Sequence, residues 1–470
     1  MSETPTKVDA DDVQGDVIIG FHKKVQAFVF FSIVDINRYR KALRAVIAPQ
    51  ITSTAEVRAA NSLIISLKAH APPGLLKPFT STSIAFTARG LVKLGIAPSD
   101  LPGEEAFLAG QADDALHHLG DPVDANGQLA TWKDEWKGHK IDGVCSVTAP
   151  DNAQLQIQLN FFKSILGGST KILFERIGSV RPGSEAGKEH FGYADGITNP
   201  KVQGFNAQEH DAQHGIVDAS TIITGHSDGD PAWTKNGSFL VFRELQQLVP
   251  EFNQFVKSIA AKAPEGKVSP DEIGARIVGR WKSGASISLT PHRDNESLAR
   301  NQCFSYSDDA ELKQRRCPFV AHVRKANPRR SLQDPEENVL PHLIIRASIP
   351  FGPEVGSDET SSHQSKHERG LYFIAYQSSI EDGFQFIQQR WLNDASFPPN
   401  AAGISKPGID IISGQNKGKP RVAQNVIDKV TTTYHISFFQ SFFFFFFFFF
   451  CSGEYFFVPS IKAIIEKLGA

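Results

Sequence analysis

A run of strand, helix and strand occurs twice before Pro182, and few folds accommodate that order. Gln26–Ile33 (QAFVFFSI) reads as a buried strand. Asn37–Ile47 follows with Tyr39, Leu43, Val46 and Ile47 on one helical stripe. Asn61–Lys68 (NSLIISLK) reads as a second strand, and Ser83–Thr87 and Gly143–Thr148 as two more. Asn152–Leu166 is a helix capped by Asp151 or Asn152, and Lys171–Ile177 is a further strand. Repeated in this way, the pattern predicts split βαβ topology: an antiparallel sheet with helices on one face.

The second half predicts the same arrangement with longer insertions. Ser238–Arg243, His342–Ile349, Gly370–Gln377 and Glu454–Val458 read as strands. Leu248–Ala261, Asp271–Trp281 and Ile380–Asn393 read as helices. The expected fold class is therefore α+β, with two domains of one general kind. Residues 1–12 are expected to be disordered, 13–182 to form the first domain and 183–470 the second. The loops at 202–236, 283–316 and 351–368 are long and polar, as functional or mobile loops tend to be.

Composition removes several classes. A net charge of −2 over 470 residues gives no broad basic surface for nucleic acid or anionic membrane. Cys145, Cys303, Cys317 and Cys451 form no CxxC pair, so neither a cysteine zinc site nor a disulfide framework is indicated. No basic and apolar leader precedes Asp12, which reads as an intracellular chain, or as a secreted one whose leader exon is missing. Phe442–Phe450 is nine consecutive phenylalanines, too short for a membrane span of about 18 apolar residues. A thymine-rich tract ahead of an intron's 3′ end, translated in frame, produces such a run, so residues 430–451 are read as a retained intron.

Three stretches carry chemistry. In His190-Phe191-Gly192-Tyr193-Ala194-Asp195-Gly196, two glycines let the backbone turn tightly around one carboxylate. Taken alone, Asp195 is equally an ordinary turn former. In Arg316–Lys325, His322 sits among apolar residues, either as a satisfied core histidine or as an axial iron ligand. Arg324, Lys325, Arg329 and Arg330 then suit propionates or a solvated face. In His342–Gly352, strand alternation turns His342, Ile344 and Arg346 one way. An arginine in that apolar run needs a partner, either a buried counter-ion or a cavity. Leu371 and Phe373 share a face of the next strand and are expected to wall that cavity. The pairs His210/His214 and His363/His367 lack a third ligand and read as surface.

With these stretches in order, the chain resembles the fungal dye-decolorizing peroxidases, haem enzymes of the dimeric α+β barrel type built from two ferredoxin-like domains. The similarity includes Val13–Asp16, Ser83–Phe86, Gly192–Gly196, Gly279–Gly284, Cys317–Arg329, Arg346–Gly352 and Gly453–Ser460. The resemblance implies one haem b per chain, hydrogen peroxide as oxidant and small aromatic electron donors. It implies Asp195 as distal acid/base, Arg346 as distal cation and His322 as proximal ligand. Leu371 and Phe373 become the distal wall, Asp410 the acid behind His322, and Trp391 a surface site for oxidising bulky donors. Phe351 departs from the pattern, standing where relatives often carry a tyrosine. The alternatives are a haem-storage or haem-transfer protein with little turnover, and an inactive gene product spoiled by the tail insertion.

Overall fold

The computed structural model describes residues 7–70, 79–207, 215–226, 229–263, 268–308, 314–329, 339–398, 406–419, 421–427, 430–436 and 448–470. Its strands are β1 (Val25–Ile33), β2 (Ser81–Phe86), β3 (Gly143–Ala149), β4 (Thr170–Ser179), β5 (Lys201–Val202), β6 (Ile216–Val217), β7 (Ser238–Gln247), β8 (Ile345–Arg346), β9 (Ile349–Phe351), β10 (Gly370–Gln377), β11 (Arg421–Ile427), β12 (Val430–Ile436) and β13 (Phe448–Val458). Nine of them make one antiparallel sheet in the order β4-β1-β3-β2-β13-β7-β10-β8, with β9 also paired to β10. The pairs β5–β6 and β11–β12 lie off it.

That order contains one topology twice. In the first half the strands run 4-1-3-2 by chain position, with helices in the first and last crossovers. In the second half β13-β7-β10-β8 repeats 4-1-3-2, as the split βαβ reading requires. The halves join where β13 meets β2 at Phe457 and Phe86. At the opposite ends, a Cβ on Gly178 of β4 would lie 2.6 Å from Ile349 of β9, so the outer strands touch and the sheet bends into a barrel. Inside it, Phe28 and Phe30 of β1 meet Phe242 of β7 edge-on, with ring centroids 5.0 and 5.2 Å apart. Tyr372 of β10 stacks on the same Phe242 at 5.7 Å. Such pairs contribute about 0.5–1.5 kcal/mol each beyond area burial.

Three expectations are corrected. Asn61–Lys68 lies within a helix, Thr54–His70. A reciprocal cap starts it: Ser53 N–H donates to the Glu56 carboxylate at 2.7 Å and Glu56 N–H to Ser53 Oγ at 3.2 Å. The apolar run there is no buried strand, since Ile65 is 70% exposed. His342–Ile349 is not continuous: a 3₁₀ turn (Leu340–His342) precedes the short β8, and β9 begins at Ile349. Residues 7–12 are ordered, because Asp12 is buried and accepts hydrogen bonds from Lys462 N–H and Asn236 Nδ2, both at 2.8 Å. Residues 1–6 lie outside the described residues.

The long run of phenylalanines falls mostly outside them too. Its last three residues, Phe448–Phe450, begin β13 and pair with Gln247, Gln246 and Leu245 of β7. No helix among the described residues is long and apolar enough to cross a membrane.

Candidate active site

Strands β7 and β10 present alternate side chains to two sides. Phe242, Tyr372 and Ile374 face the barrel, while Arg243, Leu245, Leu371 and Phe373 line a cavity outside it. This cavity lies wholly within the second half, with about 1600 Å³ of empty space including its mouth. Asp195, His322 and Arg346 all line it.

Asp195 arrives on the glycine turn. Gly192 and Gly196 have φ of 93° and 70°, a region other residues rarely adopt. Asp195 N–H is fixed to Gly187 carbonyl at 3.1 Å. Its Oδ1 accepts from Arg346 Nη1 at 2.8 Å and from Gly196 N–H at 2.7 Å; Oδ2 takes no part in these bonds. Burial pushes this carboxyl upward, but Arg346, the Gly196 amide and His322 hold it below its ordinary value. The Asp195 and Arg346 side chains are each 28% exposed, so the pair is open to the cavity.

His322 is the first residue of a short helix, His322–Ala326. Its Nδ1 lies 2.8 Å from Asp410 Oδ2 and 3.3 Å from Ser413 Oγ. Asp410 has no exposed side-chain surface, and its Oδ1 accepts Ile412 N–H at 2.6 Å and Ser413 N–H at 2.8 Å. Burial raises that carboxyl, yet His322, the Ser413 amide and Lys325 hold it low. An ionised Asp410 fixes the Nδ1–H tautomer of His322 and makes Nε2 the basic ring edge, which is how a metal-binding histidine is prepared.

Family models match both halves of the chain. Residues 12–182 match the DyP dimeric alpha+beta barrel domain, and residues 276–398 match the Dyp-type peroxidase C-terminal model. A dye-decolorizing peroxidase of Auricularia auricula-judae is 38% identical, the alignment covering 99% of this chain and 88% of that protein. One from Exidia glandulosa is 35% identical over the same shares. A crystal structure of the fungal DyP-type peroxidase from Auricularia auricula-judae superposes with a TM-score of 0.87 at 36% identity, covering 99% of this chain and all of that one. The chain belongs to the DyP-type peroxidase family. It is a hydrogen-peroxide-dependent oxidoreductase, a dye-decolorizing peroxidase, and its family is haem-dependent.

The residues of this DyP-type peroxidase fit a haem. One imidazole has its Nδ1 tied to a buried carboxylate, a carboxylate and a guanidinium line the same cavity, and its walls include the apolar Leu245, Ile344, Leu371, Phe373 and Ile412. Leu371 and Phe373 thus stand where alternation put them, and Asp410 lies directly behind His322. On the Arg346 segment, Leu343 lines the cavity alongside Ile344, while His342 stacks on Phe386 with centroids 3.5 Å apart.

Trp391 is not a surface tryptophan. It is 3% exposed, stacked on Phe397 at 5.7 Å and edge-on to Phe386 and His342 at 5.4 and 5.5 Å. The basic cluster after His322 is corrected as well. Arg324 is buried over the rings of Phe319 and Tyr306 at 4.4 and 4.6 Å. Lys325 is buried and donates to three carbonyls, of Gly408, Asp394 and Phe397, at 2.7, 2.8 and 2.9 Å. Arg329 alone of the described three lines the cavity, and its guanidinium donates to the Gln302 and Phe304 carbonyls at 3.0 and 3.1 Å. Arg330, His210 and His214 lie outside the described residues. His363 and His367 are exposed, as surface residues are.

Two neighbours of the site passed unnoticed in the sequence. Glu189 lines the cavity and accepts the N–H groups of Phe191 and Tyr193, each at 2.8 Å, which braces the Asp195 turn from within. Burial pushes its carboxyl up to about 7. Ser413 touches His322 from the loop that carries Asp410. Only their closeness to Asp195 and Asp410 in the chain could have signalled them.

Proposed function

We propose that this peroxidase would hold one haem b per chain through His322, and that Asp195 and Arg346 work the peroxide in the same cavity. Haem would supply the redox chemistry, reducing hydrogen peroxide to two waters while two donor molecules each give up one electron and one proton. Oδ2 of Asp195, the oxygen not committed to Arg346, takes the proton from one peroxide oxygen and delivers it to the other, as base and then acid. Arg346 stabilises the negative charge that gathers on the departing oxygen. Asp410 keeps Nε2 of His322 basic. Leu371 and Phe373 exclude bulk water and bound the space left for small phenols.

For anthraquinone and azo dyes too large to enter, oxidation at Trp391 is the proposed route. Because the ring is covered, it would run through Phe386 and His342 toward the surface. An Asp195 carboxyl held below the ordinary ~3.9 stays ionised in mild acid, so activity favours acidic pH.

The observation that carries the reading is the 2.8 Å Asp195–Arg346 pair facing the same cavity as a carboxylate-backed histidine. Haem storage without turnover needs only the His322 side and leaves the other pair without a task. The test is Asp195→Asn in the haem-reconstituted protein. The Soret band is expected to persist while peroxide-dependent dye bleaching falls about 10²–10⁴-fold; undiminished bleaching overturns the reading.

A further inference from the structure

Arg346 lies on β8, the two-residue strand at the end of the sheet order. It stands opposite Ala375 of β10, but the neighbouring hydrogen bond runs from Ala347 N–H to Ile374 carbonyl at 2.9 Å. The N–H and C=O of Arg346 itself therefore face away from β10, as in a non-hydrogen-bonded antiparallel pair. A short edge strand with its peptide groups outward is a loose foundation for a long side chain.

Asn199 closes that edge. Its Oδ1 accepts Arg346 N–H at 3.0 Å and its Nδ2 donates to Arg346 carbonyl at 2.9 Å. One side-chain amide thus stands in for the missing neighbouring strand. The orientation of the amide follows from its partners, since the N–H requires an oxygen and the carbonyl a nitrogen.

Asn199 lies four residues after Asp195, on the same loop. That loop holds Arg346 at both ends: the Asp195 carboxylate takes the guanidinium and the Asn199 amide takes the backbone. The two grips and the intervening residues form a closed ring. Thr198, within it, is pinned on its far side, donating to Gln302 Oε1 and accepting from Arg280 Nη2, both at 3.1 Å. Asn199 does not line the cavity.

We propose that Asn199 is a positioning residue, gripping the peptide of Arg346 so that its guanidinium meets the Asp195 carboxylate in one register. The inference rests on the roles of Asp195 and Arg346 proposed above. A shift of about 1 Å in a reacting group costs on the order of 10²-fold, so the loss on removing the grip should be readable.

The test uses Asn199→Ala in the haem-reconstituted full chain. The rate with peroxide is expected to fall about 10–100-fold, with the Soret band kept and KM for the dye within about twofold. The acid limb of the rate should move to higher pH, because a loosened Arg346 no longer holds the Asp195 carboxyl down. In an Asp195→Asn background the same substitution should add less than about twofold, since both then act on one arrangement.

Asn199→Thr keeps one hydroxyl for one of the two bonds and should fall between wild type and Ala. If the Ala variant does not fold, the Thr variant must still move the acid limb. Wild-type rates with an unmoved acid limb overturn the proposal. So does a loss that adds in full to Asp195→Asn, which would mark a general structural role. An active Asp195→Asn brings down the underlying reading instead, while an inactive one beside a wild-type-like Asn199→Ala brings down this inference alone.

Discussion

Two aspartates each lie 2.8 Å from a basic side chain that lines one cavity, yet Asp195 lines the cavity itself and Asp410 is buried behind it. Asp195 shares its 28% exposure with Arg346 and commits only one oxygen to hydrogen bonds. Asp410 has no exposure, and both its oxygens are occupied, Oδ2 by His322 and Oδ1 by two amides. A proton can reach the first carboxylate from the cavity; none can reach the second without breaking a buried network. The same residue type at the same distance is thereby suited to carry a proton in one place and to stay a fixed charge in the other. What separates them is solvent access and the number of committed lone pairs.

Substitutions can break that contrast in a graded way. His322→Ala removes the proposed haem ligand and should abolish both the Soret band and dye bleaching; a variant that still binds haem normally would undo that assignment. Asp195→Asn comes next, as given above, with haem retained. Arg346→Leu should cost about 10²–10³-fold in turnover, as removal of one stabilising donor does. It should also move the acid limb up toward the ordinary ~3.9 of aspartate, and a pH–rate profile decides.

Asp410→Asn should cost only about 10–100-fold, and through haem retention as much as turnover, since it acts behind the ligand. A loss as deep as that of Asp195→Asn with intact haem would show that the two carboxylates are not divided as described. The smallest effect is on stability against pH. Both carboxyls sit below their ordinary values when folded. Their contribution is therefore complete above about pH 4 and is lost as pH falls through the folded values. Melting temperature against pH should show a shallower acid decline in Asp410→Asn than in wild type.

The parts of this molecule that were legible in the sequence are those where local chemistry and tertiary role coincide. Glycines flanking Asp195 spelled the turn, and alternation in β10 placed Leu371 and Phe373 correctly. The doubled strand and helix order anticipated the doubled topology. Misreadings arose where a neighbour overrode the local pattern. NSLIISLK has strand-like composition, but the Ser53–Glu56 cap upstream starts a helix that runs through it. Trp391 is covered by Phe397, Phe386 and His342, partners from three different positions in the chain. Arg324 and Lys325 look like a solvated charge run and are instead buried against rings and carbonyls. Asp410 was visible only through resemblance, because 88 residues separate it from the histidine it serves. Asn199 left no mark, as a side chain that imitates a strand has no periodicity.

The last strand of the described residues, β13, occupies the middle of the sheet, between β2 and β7, and Gln14 Nε2 reaches the Pro459 carbonyl beside it at 2.8 Å. During synthesis, then, the first half keeps an open flank at β2 until β13 has emerged. Before that step the barrel lacks its central stave.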